Sequence, residues 1–125
     1  MSDRHPPLHL IILAGGSGTR ARPSATAPPK QFAVAAGRIL LGWSARALAA
    51  HPAVVSLTVT CAEAWRETVG QALPGRPEAR FAEPGATRTA STWHALEVLR
   101  AAEAPGDDDL VAVHDAARPF ADARL

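Results

Sequence analysis

A chain of 125 residues, 47% hydrophobic and 20% charged, carries enough apolar material for one core, which excludes a disordered polymer. Its one cysteine, Cys61, excludes a disulfide framework and a cysteine-based zinc site, and a net charge of +1 gives no global pull toward nucleic acid or membrane. The longest apolar run, Leu10 to Ala14, is far too short to span a bilayer, and the opening Met-Ser-Asp-Arg-His-Pro-Pro has no apolar secretory segment, so a cytoplasmic protein is expected.

His9 to Ala14 is a continuous apolar run that stops at Gly15-Gly16, which predicts a strand over 9–13 buried on both faces, as in a parallel sheet. Gly15 to Pro29 is rich in Gly, Ser, Thr and Pro, and Pro23, Pro28 and Pro29 forbid a regular helix there, so a long loop follows. Long loops inside compact domains are usually functional or disordered. Leu40, Leu41, Trp43, Ala47 and Leu48 recur with helical spacing, and His51-Pro52 ends that helix.

The β-branched stretch Val54 to Thr60 predicts a second strand. Ala62 to Leu73 reads as a helix with Trp65, Val69 and Leu73 spaced four apart, closed by Pro74-Gly75. A short third strand is predicted over 79–82, then a turn at Glu83-Pro84-Gly85. Thr87 to Ala104 reads as a helix presenting Trp93, Leu96, Leu99 and Arg100, with Gly106 just past its end. A fourth strand over 110–114 ends at His114-Asp115, and the acidic run Asp107–Asp109 before it reads as a solvated turn and not a metal site. Strands alternating with helices predict an α/β fold with a parallel sheet. Right-handed crossovers predict the spatial order 3-2-1-4. The switch point then lies between the first and fourth strands and brings the Gly15–Gly18 loop beside Asp115.

Charge is unevenly spread. Residues 1–50 carry a balance of +5 and residues 51–125 a balance of −4, so positive charge gathers where an anion could sit, although small samples also scatter this way. Basic residues are twelve Arg and one Lys, Lys30, and Ala makes up about a fifth of the chain. Both biases suit a coding background that drives Lys to Arg. A lysine that survives it is a candidate for a role that needs a compact ammonium, which a planar guanidinium replaces poorly.

A strand followed by a glycine-rich loop is how α/β folds build anion sites, with backbone N–H groups converging on phosphate oxygens. Gly16-Ser17-Gly18-Thr19-Arg20-Ala21 fits the spacing of a dinucleotide fingerprint, but prolines follow where a helix should, and no acid occurs between Asp3 and Glu63. A P-loop fails because Gly18 is followed by Thr19-Arg20, and a nucleophile elbow fails because Thr19 stands where its second Gly belongs. A fourth reading fits better. Arg20 and Lys30 on one crossing loop place positive charge over a triphosphate, which is what nucleotidyl transfer asks of a protein. Taken singly, each is equally compatible with ordinary surface charge.

Four ordered motifs then carry a resemblance. Leu13-Ala14-Gly15-Gly16-Ser17-Gly18-Thr19-Arg20, Pro29-Lys30-Gln31-Phe32, Arg88-Thr89-Ala90-Ser91 and the specific His114-Asp115-Ala116-Ala117-Arg118-Pro119 together resemble the 2-C-methyl-D-erythritol 4-phosphate cytidylyltransferases of isoprenoid synthesis. The resemblance implies a Rossmann-like parallel sheet with helices on both faces, of the nucleotide-diphospho-sugar-transferase type. It implies the reaction of CTP with methylerythritol phosphate to give CDP-methylerythritol and pyrophosphate, with Mg2+. Ala14, Gly15, Gly16 and Gly18 would form the loop around the nucleotide. Arg20 and Lys30 would stabilise the pentacoordinate α-phosphate and the departing pyrophosphate. Arg88 and Ser91 would hold the cytidine end, although a hydroxyl at a helix start also serves as a cap. Asp115 would bind magnesium, a hard cation suited to carboxylate and phosphate oxygens, and Asp115 and Arg118 would face the polyol phosphate. The resemblance implies CTP and a polyol phosphate as partners and a homodimer for the full-length form, with no nucleic-acid or membrane partner.

The chain departs from the pattern in places. Leu13-Ala14-Gly15-Gly16 stands where Pro-Ala-Ala-Gly is usual, a form shared with ribitol-phosphate cytidylyltransferases, whereas Ala117 leans back toward methylerythritol phosphate. The segment from Arg20 to Lys30 is longer than usual, and Pro84 replaces a Gly. Family members are nearly twice this length. Residues 1–125 are therefore expected to be the N-terminal, CTP-binding part of a single nucleotidyltransferase domain, truncated and inactive alone. The alternatives are a ribitol-5-phosphate enzyme or a non-catalytic nucleotide-binding remnant.

Overall fold

Leu10, Ile11 and Ile12 are successive residues of one strand, and none is more than 2% exposed. Burial on both faces explains why this stretch runs apolar without alternation. In the structure, a computed structural model that describes residues 5–15 and 30–116, this strand is β1, Leu8–Leu13. A 3-10 turn over Lys30–Phe32 follows, then a hairpin of β2 (Val34–Ala35) and β3 (Arg38–Ile39) that runs into α1 (Leu40–Ala49). Next come β4 (Val54–Thr60), a 3-10 turn over Glu63–Trp65, α2 (Arg66–Ala72), β5 (Ala79–Ala82), α3 (Arg88–Glu103) and β6 (Leu110–Asp115).

The four long strands form one parallel sheet in the order β5-β4-β1-β6, which is the predicted 3-2-1-4 order. Leu41 and Ala45 of α1 and Val69 of α2 pack with Leu10, Ile12, Leu57 and Val59 on one face. Ala95 and Leu99 of α3 pack with Ile11 and Ala82 on the other. The chain thus steps outward through α1 and α2 on one face and returns through α3 on the opposite face. That arrangement keeps a single crossover hand. Each fully buried Ile or Leu here contributes about 1.5–3 kcal/mol through removal from water.

The strands keep close to their expected bounds, but several details differ. The predicted helix over 62–73 opens instead as a 3-10 turn, because Ala62 at its N-cap has no side-chain oxygen for the orphan amides. The face of α3 was expected to include Trp93, yet that ring is 63% exposed; the buried line is Ser91, Ala95 and Leu99. These residues are spaced four apart, and the small ones at 91 and 95 let the helix lie close to the sheet. The left-handed residue ending α3 is Ala104, at φ 45°, and not Gly106. Pro105 follows it, and a residue before proline is disfavoured in the right-handed α region. The hairpin over 34–39 had no strand-length alternation to announce it. It turns through Ala36 and Gly37, both at positive φ.

The acidic run Asp107–Asp109 is only partly the solvated turn expected of it. Among the described residues no group of three or more His, Cys, Asp and Glu side chains could hold a metal. Asp109, however, turns inward. Its Oδ2 lies 2.8 Å from Nε2 of buried His9, whose Nδ1 lies 2.7 Å from Ser56 Oγ, and it accepts Gly106 N–H at 3.1 Å. This Ser-His-Asp chain ties β4, β1 and the entry to β6 at the N-terminal end of the sheet, opposite the edge where ligands bind in such folds, with the serine and histidine buried. The hydrogen bond from His9 holds the Asp109 carboxyl below its usual 3.8. A depressed folded value means the stabilisation is complete above the unfolded value and is lost as pH falls through the folded one. Asp109→Asn should therefore melt lower than wild type at pH 6, and the two curves should converge as pH falls below the usual carboxylate range. Thermal melts across that range check it, and a gap that persists in acid would rule the carboxylate out as the cause.

Candidate functional site

The sheet register sets the frame of the site. Leu13 pairs with Thr60 on one side and Asp115 on the other, and Thr60 pairs with Ala82, so one row crosses the C-terminal edge of all four strands. Chain leaving that row enters a common crevice, which is where ligands bind in open parallel sheets.

Ala14 is the first residue beyond β1, and its peptide groups are fully engaged. Its N–H donates to the Thr60 carbonyl at 2.9 Å and lies 3.3 Å from Thr60 Oγ1. Its carbonyl accepts Gln31 Nε2 at 3.0 Å, although Gln31 is seventeen residues on. The root of the glycine loop is therefore rigid before the loop begins. Gly15 runs directly against Pro84: a Cβ added at Gly15 would lie 2.2 Å from the proline Cβ, so no side chain fits there. Across the switch point, Ala116 N–H donates to Leu13 O at 3.0 Å and holds Asp115 beside the same root.

The third wall comes from the turn before α3. Thr87 caps the helix, its hydroxyl accepting Ala90 N–H at 3.0 Å. Gly85 packs on the first turn so closely that a Cβ there would sit 2.3 Å from Ala90 Cβ. Its N–H donates to Ser91 Oγ at 2.9 Å. Arg88, in the first turn, reaches back to Asp115, with Nε 3.3 Å from Oδ1. The pair is largely solvated, and such pairs contribute only about 0–1 kcal/mol. Its meaning is one of place: a guanidinium from the start of α3 and a carboxylate from the end of β6 meet at one crevice mouth, beside the positive end of a sixteen-residue helix.

On the remaining side stands the 3-10 turn that carries Lys30. Phe32 is buried and stacks on Trp65 with ring centroids 4.4 Å apart, and the Ala33 carbonyl accepts Leu40 N–H at 2.9 Å. Beneath the crevice lies Cys61, fully buried, its N–H donating to Ala82 O at 3.2 Å. Burial pushes its thiol up to about 11, with the Arg66 guanidinium pulling weakly the other way, so it is packing and not a nucleophile.

Of the residues singled out from sequence, the structure brings together Ala14, Gly15, Arg88, Ser91, Asp115 and the backbone of Lys30. Gly16, Gly18, Arg20 and Arg118 lie outside the described residues, as does the side chain of Lys30. Ser91 is buried at 7% exposure with its oxygen on Gly85, while the cap is Thr87. Gln31 and Gly85 were not singled out. The sequence offered a weak hint for Gly85, a glycine directly after proline, and none for Gln31, whose partner is revealed only by folding. A carboxylate at a crevice mouth, glycine backbone and the Arg88 guanidinium suit a polyanion with a hard cation, since Mg2+ is commonly held by one or two carboxylates together with substrate phosphates.

Comparison with known proteins gives a consistent answer. The sequence profile of the 2-C-methyl-D-erythritol 4-phosphate cytidylyltransferase family, IspD, matches residues 8–125. The chain is 39% identical over 119 residues to the protein of that name from Pseudomonas fluorescens, covering 95% of this chain and 49% of that one. It is 40% identical over 115 residues to the bifunctional enzyme IspD/IspF of Nitrobacter hamburgensis, covering 92% of this chain and 27% of that one. Among solved structures, the Francisella tularensis 2-C-methyl-D-erythritol 4-phosphate cytidylyltransferase superposes with a TM-score of 0.65 at 27% identity, over 90% of this chain and 45% of that one. The chain thus spans about half, or less, of the length of the relatives it matches.

Proposed function

The chain belongs to the 2-C-methyl-D-erythritol 4-phosphate cytidylyltransferase family, and from that premise we propose that its protein joins CTP to 2-C-methyl-D-erythritol 4-phosphate, giving CDP-methylerythritol and pyrophosphate. The observation that carries this reading is the meeting of Gly15, Arg88 and Asp115 at the C-terminal edge of the sheet, on either side of the switch point. Residues 1–125 are read as the N-terminal, CTP-binding part of a single nucleotidyltransferase domain.

In this reading an oxygen of the acceptor phosphate attacks the α-phosphorus of CTP. The bond from that phosphorus to the bridging oxygen breaks, and pyrophosphate leaves. The protein contributes position and charge. Backbone at Ala14, Gly15, Gly16 and Gly18 lines the nucleotide, and the absence of a side chain at Gly15 keeps that wall thin. Arg20 and Lys30 stabilise charge that grows on the α-phosphate and the leaving pyrophosphate. Arg88 and Ser91 order the nucleoside end; the Gly85 tie of Ser91 supports this by fixing the turn on which a base would rest. Arg118 faces the acceptor phosphate.

Asp115 is the residue that would hold the divalent cation, taken as Mg2+, and its half-exposed carboxylate at the crevice mouth suits a hard ion shared with phosphate oxygens. Such an ion, when bound, neutralises triphosphate charge. The full protein is read as a cytoplasmic homodimer. Among the described residues no helix is long and apolar enough to cross a membrane.

The test is incubation of the full-length protein with CTP, Mg2+ and, separately, methylerythritol phosphate and ribitol 5-phosphate, with pyrophosphate release as the readout. Release with methylerythritol phosphate is expected. Release confined to ribitol 5-phosphate would move the acceptor assignment, and none with either would sink the reading.

A further inference from the structure

We infer that Gln31 is a positioning residue, holding the backbone of Lys30 against the root of the glycine loop so that the lysine meets the nucleotide phosphates at a fixed distance. This rests on the reading of Lys30 as the cation of the transfer reaction. The geometry comes from three anchors on one short turn. Phe32 is pinned by its stack on Trp65, and Ala33 by the amide of Leu40. Both fix the far end of the turn to the body of the domain. Gln31 alone among these ties points the other way, with Nε2 donating to the Ala14 carbonyl at 3.0 Å.

Gln31 is only 6% exposed. A primary amide does not occupy such a place by accident, because burying it without partners costs about 1–3 kcal/mol. Its partner is equally informative. The Ala14 N–H is already committed to Thr60 on β4, so with the Gln31 contact both the N–H and the C=O of the residue from which the loop departs are engaged. The glycine loop and the lysine turn thereby share one rigid joint. Lys30 is the immediate neighbour of Gln31, so any slip at residue 31 moves the lysine Cα. Displacements near 1 Å at reacting groups can cost on the order of a hundredfold in rate.

The experiment uses Gln31→Met, which keeps size and shape but removes the donor, and Gln31→Glu, both confirmed folded by thermal melts. Gln31→Met should lower kcat by about 10- to 100-fold and change KM for CTP by less than about threefold. Added to Lys30→Ala, it should cost less than about twofold more, since it acts through that lysine. In Gln31→Glu a carboxylate faces a carbonyl, acceptor against acceptor, so activity should recover as pH falls and the acid O–H becomes able to donate to Ala14. Independent effects of the two substitutions, or a pH profile of Gln31→Glu parallel to wild type, would overturn the inference.

A second readout needs no turnover. Lys30 is the sole lysine of the 125 residues, so peptide mapping after trinitrobenzenesulfonate labelling resolves it from the α-amino terminus and from amines elsewhere in the protein. CTP should shield Lys30 strongly in wild type and weakly in Gln31→Met, with CTP binding retained by calorimetry. Equal shielding in both, or none in wild type, would reject the positioning role. Wild-type protein that releases no pyrophosphate would instead reject the proposed reaction, and the labelling result separates the two.

Discussion

Lys30→Ala in the active enzyme is expected to lower kcat by a factor of a hundred or more while changing KM for CTP far less. The lysine is read as a contact that strengthens as pyrophosphate leaves, and interactions made only in the transition state appear in kcat. Loss of a comparable transition-state donor costs on the order of 3 kcal/mol, which sets the factor. Lys30→Arg should be impaired as well. Twelve arginines against one lysine show that the guanidinium is otherwise the basic group of this chain. A planar fork with a wider charge distribution does not reproduce an ammonium point charge. The Gln31 tie sharpens the expectation, because a turn clamped at both ends cannot shift to seat a bulkier head group. Steady-state kinetics of both variants decide it; a fully active arginine variant would show that charge alone matters at this position.

The legibility of the fold follows from where burial is complete. β1 and β4 lie inside the sheet, so the runs Leu10–Leu13 and Leu57–Thr60 had little freedom to read as anything but strands. The order β5-β4-β1-β6 then followed from crossover handedness alone. Helix faces were less legible. Trp93 scored as apolar by type, yet close packing of α3 on the sheet demands small residues, and Ser91 and Ala95 took the interior line. Asp115 and Arg88 could be picked out as candidates because charge is written in residue type, and the fold brings the two together. The sequence was silent where a contact rests on a partner distant along the chain: nothing near Gln31 names the Ala14 carbonyl. Likewise Ser56 and Asp109 gave no sign that buried His9 would bridge them.

Residues 1–125 expressed alone are expected not to form CDP-methylerythritol. They contain the glycine loop, Arg20, Lys30, Arg88, Ser91 and Asp115, so weak CTP binding is the expected remainder. Transfer also needs the acceptor phosphate held in line behind the α-phosphorus, and orientation of that kind supplies roughly 7–11 kcal/mol of barrier lowering. Of the residues read as facing the acceptor only Asp115 and Arg118 fall within these residues, whereas the Pseudomonas fluorescens relative is about twice as long, this chain covering 49% of it. The sheet points to a second consequence. Among the described residues β6 pairs with β1 alone, and its outer residues Leu110 and Val111 are about half exposed. An apolar strand whose outer side has no strand partner among the described residues is a template for pairing with another copy, so self-association should accompany inactivity. Light scattering or sedimentation of the purified 125 residues should reveal species larger than a monomer. Pyrophosphate release with CTP, Mg2+ and methylerythritol phosphate should stay at background. Turnover within about tenfold of an intact relative would mean that residues 1–125 alone hold the acceptor in line, contrary to an orientation term of that size.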